Sequence, residues 1–211
     1  MALAFNITTP MTFIDKLTSN EPFIHKFDRD DKKLQSKAKR LCFELNNSHP
    51  DDIEQRQTFY KELFGTVTSF MNIEPHFRCD YGFNIHFKGF ALLNYNCVIL
   101  DTSAVHIGAN VMIGPGSVLA CVEHAIDPYQ RSAVGLYASS PITLHDDVWL
   151  GANTTVCGGV TIGEGSIIGA GSVVTKDIPA GVIAVGSPCK VMRTITEQDK
   201  WEYHDLSPLA F

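Results

Sequence analysis

Leu150-Gly151-Ala152-Asn153-Thr154-Thr155-Val156-Cys157-Gly158-Gly159-Val160-Thr161-Ile162-Gly163-Glu164-Gly165-Ser166-Ile167-Ile168-Gly169-Ala170-Gly171-Ser172-Val173-Val174 decides how this chain folds, because an aliphatic side chain returns at every sixth position. Leu144 opens that phase, and Ile107, Ile113 and Leu119 hold the same spacing upstream. Glycine follows directly in the best copies, at Gly108, Gly114, Gly151, Gly163 and Gly169. A small or β-branched residue sits four places on, at Val111, Ser117, Thr154, Val160, Ser166 and Ser172. A period of six matches neither the turn of an amphipathic helix nor the alternation of a single strand. It matches a chain wound into a prism, with short parallel strands as faces, tight turns as corners and the aliphatic side chains stacked on the axis. Each coil buries its edges only against the next, so such a solenoid needs several coils and a cap at each end.

Outward from this block, the prism is expected over 71–193. The phase is traced upstream through Phe77, Phe83, Gly89, Tyr95 and Asp101, with Gly89 and Asp101 as defects. Between Glu123 and Pro141 the repeat stops. Leu119 and Leu144 stand 25 positions apart, one more than four hexads, so an inserted loop over 124–141 resets the phase. A loop of this length inside a regular solenoid is functional or disordered, and His124, Asp127, Tyr129, Gln130, Arg131 and Tyr137 favour function. Residues 1–70 form an N-terminal helical segment packed on the first coils, with 11–65 read as helical. Leu34, Ala38, Leu41, Cys42 and Leu45 make one buried stripe, and Ile53, Tyr60, Leu63 and Phe64 face inward in the next helix. Residues 194–211 read as a capping tail with a short helix from Thr196 to His204.

The 211 residues are 45% hydrophobic, enough for a sizeable core. A net charge of -6 and a pI near 5.7, without a run of Lys or Arg, argue against a nucleic-acid partner. No apolar run reaches transmembrane length and the start carries no basic, apolar leader, so no membrane partner and a cytoplasmic location are expected. The six cysteines show no paired spacing, and neither a metal site nor a disulfide framework is indicated.

Histidine is the ready general base at neutral pH. His25, His49, His76 and His204 lie outside the regular repeat, while His86, His106 and His145 follow inward-facing positions and point outward or sit at corners. His124 stands where the solenoid gives way to its loop, held on one side and open on the other. From position alone it reads equally as a catalytic base and as a polar residue that ties down a turn.

Five stretches carry a resemblance: Asn47-Ser48-His49-Pro50, Lys61-Glu62-Leu63-Phe64-Gly65, Asn94-Tyr95-Asn96, the loop from His124, and Gly169 through Pro179. Together they resemble the galactoside/maltose O-acetyltransferase family. The resemblance covers nearly the whole chain from about residue 11 and implies a mainly β fold, a left-handed parallel β-helix. The hand comes from the family, because parallel crossovers are otherwise right-handed.

The resemblance also implies an activity, the direct transfer of acetyl from acetyl-CoA to a hydroxyl of a sugar or glycan, with no metal required. His124 would be the general base, and Asn94 would stabilise the transition state and bind the acceptor. Coenzyme contacts would fall on Ala152, Ala170, Thr175, Lys176, Lys190 and Arg193, with Lys190 in place of a more typical Arg. On the acceptor side, Lys26 stands at or beside a usual Asp and Thr102 at another carboxylate position, with Asp80 and Asp101 as further polar contacts. A homotrimer with clefts between subunits is expected. A xenobiotic acetyltransferase of the chloramphenicol type and a non-catalytic β-helical scaffold are the alternatives.

Overall fold

The computed structural model describes residues 12–27, 29–68 and 71–202. Apart from a separate three-stranded antiparallel sheet, its strands fall into three faces. One is four-stranded (Ile85–Phe87, Val105–Ile107, Ile142–Leu144, Thr161–Ile162) and one is five-stranded (Arg78–Cys79, Val98–Leu100, Val118–Ala120, Thr155–Cys157, Val173–Val174). The third, seven-stranded, runs through Met71–Ile73, Ala91–Leu93, Val111–Ile113, Trp149–Leu150, Ile167–Ile168, Val182–Val185 and Lys190–Thr194. Pairing within the faces is parallel except for the last pair, where Lys190–Thr194 turns back antiparallel on Val182–Val185 and closes that end.

The hexads account for this shape. Leu150, Val156, Ile162, Ile168 and Val174 are all 0% exposed on the axis of the prism. The second buried position carries hydroxyls that mend the corners. Thr154 Oγ1 donates to the Gly151 carbonyl at 2.8 Å, and Ser172 Oγ accepts from the Gly186 amide at 3.0 Å. Glycine after the aliphatic residue is demanded by the stacking of corners. A Cβ on Gly114 would stand 2.6 Å from the Ala152 nitrogen, and one on Gly151 would stand 2.6 Å from the Ala170 nitrogen.

Coil length changes along the axis, which corrects the upstream phase. Leu150 pairs with Ile168, a step of 18 residues, whereas Leu93 pairs with Ile113, a step of 20. The two extra residues lie at the corner that leaves the five-stranded face for the four-stranded one. The buried series is therefore Ile73, Cys79, Phe87, Leu93, Ile99 and Ile107, with eight positions across that corner in two places. Tyr95, expected inside, is 52% exposed. Asp101 is no defect; it fills the widened corner. Its Oδ1 accepts from the amides of Asp80 and Tyr81 at 3.0 and 2.9 Å, and its carbonyl accepts from Asn84 Nδ2 at 2.9 Å. Asp101 is fully buried, and that desolvation pushes its carboxyl up to about 7 against the pull of the two amides.

The N-terminal segment holds three helices, α1 (Phe13–Leu17), α2 (Arg29–Asn47) and α3 (Ile53–Leu63). In α2, Ala38, Leu41, Cys42 and Leu45 are buried as the stripe predicts, and α3 buries Tyr60 and Leu63 and is capped by Asp52, which accepts from the Gln55 amide. Asn46 fixes α2 to the first coil, accepting from the Phe77 amide and donating to the Phe77 carbonyl, each at 2.9 Å. Two expectations are corrected here. Ile53, the first residue of α3, is 68% exposed. Residues Phe23–Lys26 are a strand rather than helix, pairing antiparallel with Leu136–Ser139 of the inserted loop. The tail is also shorter in helix than expected, a single 3-10 turn at Glu197–Asp199 capped by Thr196; His204 lies outside the described residues. No helix among the described residues is long and apolar enough to cross a membrane.

Two measurements check this account. Gly114→Ala should destabilise the protein by roughly 1–3 kcal/mol in urea unfolding, because the added methyl must displace backbone rather than a pliable side chain. Asp101 has its folded pKa raised above its unfolded value, so the stability it contributes is present at low pH and is lost as pH rises through about 7. Asp101→Asn removes that loss. The melting temperature of the variant relative to the parent should therefore climb as pH rises from 5 to 8, and a difference that stays flat across that range would contradict the assignment.

Candidate active site

The corners of the prism sort the candidate residues into two groups. Asp80, Asp101, Thr175 and Lys176 lie where the chain turns from the five-stranded to the four-stranded face, and at that same corner the strand Val122–His124 leaves the prism. Asn94, Ala152 and Ala170 lie at the preceding corner, between the seven- and five-stranded faces; Ala152 and Ala170 stack in register, and Asn94 is in register with Gly114 and Gly151, one position earlier in the coil. Lys190 and Arg193 stand on the last strand of the seven-stranded face. A face built of three-residue strands is about 10 Å wide. One chain therefore roots the His124 strand and Asn94 at separate corners.

His124 is exposed at the end of its strand, directly opposite Tyr137 in the antiparallel partner Leu136–Ser139. That partner pairs on its other edge with Phe23–Lys26, so a three-stranded antiparallel sheet carries the histidine. Behind it, Leu17, Phe23, Tyr81 and Tyr137 form a second buried cluster, separate from the prism core. The His25 ring stacks on Phe13 at 4.4 Å and meets Tyr137 edge-on at 5.7 Å. His25, which lies outside the regular repeat, is thus part of this mount. Phe23-Ile24-His25-Lys26 has no apolar and polar alternation, so the sequence carried no periodic signal for this strand.

Beyond His124 the insertion forms a π-helical turn, Tyr129–Val134, closed by Gly135 at φ 77°. Asp127 Oδ1 accepts from the Gln130 amide at 2.8 Å, and Arg131 Nη1 donates to the carbonyls of Ala125 and Ile126 at 2.9 Å each. Asp127 and Arg131 therefore fold the loop. Its tip exposes Ile126 and Tyr129.

The remaining residues differ in what they offer a ligand. Asn94 Oδ1 accepts from the Tyr95 amide at 2.8 Å, which fixes the side chain and leaves its NH2 free to donate. Lys26, opposite Leu136, is exposed, as are Ala170, Thr175, Lys176 and Lys190. Ala152 is half-buried. Arg193 is held by Asp199 in a two-pronged pair at 2.8 and 2.6 Å, which drives the Asp199 carboxyl well below its usual range. Asp80 is half-buried and desolvation raises its carboxyl, with Lys39 opposing. Asp101 is wholly enclosed and engaged with backbone amides. Thr102 is buried too, its hydroxyl 2.6 Å from that of Ser139. His86 and His106 stack at 5.4 Å on the outside of the four-stranded face, as expected for outward positions. Among the described residues no three of His, Cys, Asp and Glu are grouped to hold a metal ion.

Comparison with known proteins agrees with the geometry over both parts of the chain. Residues 16–68 match the maltose acetyltransferase hexapeptide capping motif, and residues 141–176 match the bacterial transferase hexapeptide (six repeats). The galactoside O-acetyltransferase of Escherichia coli (strain K12) is 42% identical over 167 residues, 79% of this chain and 82% of the relative. Among solved structures, a maltose O-acetyltransferase from Clostridium difficile 630 is similar at a TM-score of 0.80 and 39% identity, covering 89% of this chain and 99% of that one. A galactoside acetyltransferase in complex with coenzyme A is similar at 0.79 and 35% identity, covering 96% and 100%. With identity of that order across most of both chains and the helical cap matched as well as the coils, the chain belongs to the galactoside/maltose O-acetyltransferase family of left-handed β-helix, hexapeptide-repeat acetyltransferases.

Proposed function

We propose that this protein transfers acetyl from acetyl-CoA to a hydroxyl of a sugar or glycan, with His124 as the general base. The observation that carries the reading is the placement of His124, exposed yet set on a strand that is paired, backed by a buried cluster and rooted in the prism. An alcohol is a weak nucleophile until its proton is removed during attack. His124 takes that proton as the acceptor oxygen bonds to the thioester carbonyl carbon. The amide of Asn94, already oriented by its bond to the Tyr95 amide, donates to the oxyanion that develops. Collapse of the tetrahedral intermediate expels coenzyme A as thiolate, and the histidine returns its proton to the sulfur. No covalent enzyme intermediate enters. Cys121 supports that reading, because it is buried and its thiol is raised far above the ordinary range by desolvation.

Cyclic assembly supplies the missing proximity. His124 and Asn94 lie at different corners of one prism, so a homotrimer that sets the His124 corner of one copy against the Asn94 corner of the next completes each site. Two surfaces support this. The seven-stranded face turns an apolar ladder outward through Leu92, Met112, Trp149, Ile167 and Ile183, with Met112 and Trp149 about half exposed, and the loop tip projects Ile126 and Tyr129. The small side chains of Ala152 and Ala170 leave room along the same corner for the pantetheine arm, and Thr175, Lys176, Lys190 and Arg193 provide polar and cationic partners for the phosphates. On the acceptor side, Lys26 and Asp80 flank the mount. A cation at Lys26 favours an anionic or differently hydroxylated saccharide over a simple galactoside. A location in the cytoplasm completes this reading.

His124→Ala should lower turnover about a hundredfold to ten-thousandfold while coenzyme binding is kept, measured as thiol release with a panel of hydroxyl acceptors. Unchanged turnover would remove the base assignment. Mixing unfolded His124→Ala and Asn94→Ala chains and refolding them together should restore roughly a quarter of the sites, because one intact residue comes from each copy. A site contained in one chain would recover nothing.

Lys176→Ala and Arg193→Ala should raise KM for acetyl-CoA more than KM for the acceptor, with the gap narrowing as salt screens the phosphates. An effect confined to the acceptor would place the two substrates the other way round.

A further inference from the structure

A buried triangle of hydroxyls lies at the root of the sheet that carries His124. Ser139 Oγ is 2.6 Å from Thr102 Oγ1 and 2.8 Å from Ser103 Oγ, and the three residues are 1%, 5% and 0% exposed. Each hydroxyl has one proton to give, so with two neighbours at least one must donate to Ser139. Thr102 and Ser103 belong to the widened corner that Asp101 stiffens, whereas Ser139 belongs to the loop strand. The triangle is thus a side-chain tie between rigid prism and inserted loop.

The register shows what the tie controls. Ser139 lies opposite Val122 on one edge and Phe23 on the other, and Tyr137 lies opposite His124 and His25. Directly opposed residues in antiparallel strands share a face. Phe23, Ser139 and Val122 make one cross-strand row, and His25, Tyr137 and His124 make the next. The first row is pinned by the hydroxyls, and the second is two residues further from the prism along the strands. A shift of Ser139 therefore moves the whole sheet and carries His124 with it.

We infer that Ser139, with Thr102 and Ser103, is a positioning group for His124. The inference rests on the general-base reading above. A base must come within about 2.6–3.2 Å of the proton it removes, and a misplacement near 1 Å costs about a hundredfold. Buried hydroxyls suit the task, since losing one leaves the others unpaired and the network is either satisfied or broken. Thr102 has a corresponding consequence for the acceptor: its hydroxyl is engaged with Ser139, so it holds the catalytic mount and is withheld from the substrate.

The test is a double-mutant cycle in thiol-release assays on the full chain, with folding followed by thermal melting. Ser139→Ala should lower kcat roughly ten- to a hundredfold with KM for acetyl-CoA within about twofold, and it should have little further effect in the His124→Ala background. Thr102→Val should show a similar loss, and Thr102→Ser, which keeps the hydroxyl, should recover most of it. Should Ser139→Ala fail to fold, Thr102→Val and its cycle with His124→Ala are read in its place. An unchanged kcat in folded Ser139→Ala, a loss confined to KM, or the same fold-loss with and without His124 would each overturn the inference. Full activity in His124→Ala would instead sink the general-base reading, and that result is seen before the cycle is closed.

Discussion

Everything in this molecule depends on how closely one coil corner can lie on the next. The corners touch through backbone: at Gly114 and Gly151 the space for a Cβ is already filled by the nitrogen of the residue stacked below. That approach brings each strand into hydrogen-bonding distance of its copy one coil on, and it closes the axis tightly enough that Leu150, Ile162 and Ile168 exclude water completely. A larger residue at these corners would separate the coils and weaken the ladders and the core together.

The same constraint explains why His124 lies where the repeat is broken. A regular coil has no slack for a cleft, since its inward positions are filled and its outward ones are flat. The corner between the five- and four-stranded faces is the exception. It takes two extra residues in the early coils, needs Asp101 to satisfy its amides, and then releases the whole insertion after Cys121. The insertion is bound back to the prism at its root, where the Ser140 amide donates to the Cys121 carbonyl at 3.0 Å. It is also held by a strand from the N-terminal segment. The helical cap therefore does more than cover the first coils, because part of it forms the outer edge of the sheet that carries His124.

Placing His124 and Asn94 at different corners has a further consequence. A prism can hold its faces rigid but cannot fold one corner onto another, so chemistry that needs both residues needs a second copy. The apolar ladder on the seven-stranded face and the projecting loop tip are the surfaces such a copy would cover. In such an arrangement assembly and activity would be one property, and neither would require the prism itself to move.

The period-six aliphatic pattern determined the prism, its parallel strands and the buried hydroxyl positions, because a stacked repeat writes the same local demand into every coil. The helical stripe of α2 was legible for a similar reason, since one face meets one neighbour. Resemblance to a family pointed to His124, Asn94 and the coenzyme contacts. The tertiary structure decided the rest. The phase through Phe83, Gly89 and Tyr95 failed because two extra residues at a corner change the count without changing local propensity. Phe23–Lys26 became a strand because its partner lies more than a hundred positions away in the loop, and no local signal encodes such a pairing. The Thr102, Ser103 and Ser139 cluster was hidden for the same physical reason: hydroxyls far apart in sequence acquire meaning only once the fold buries them side by side.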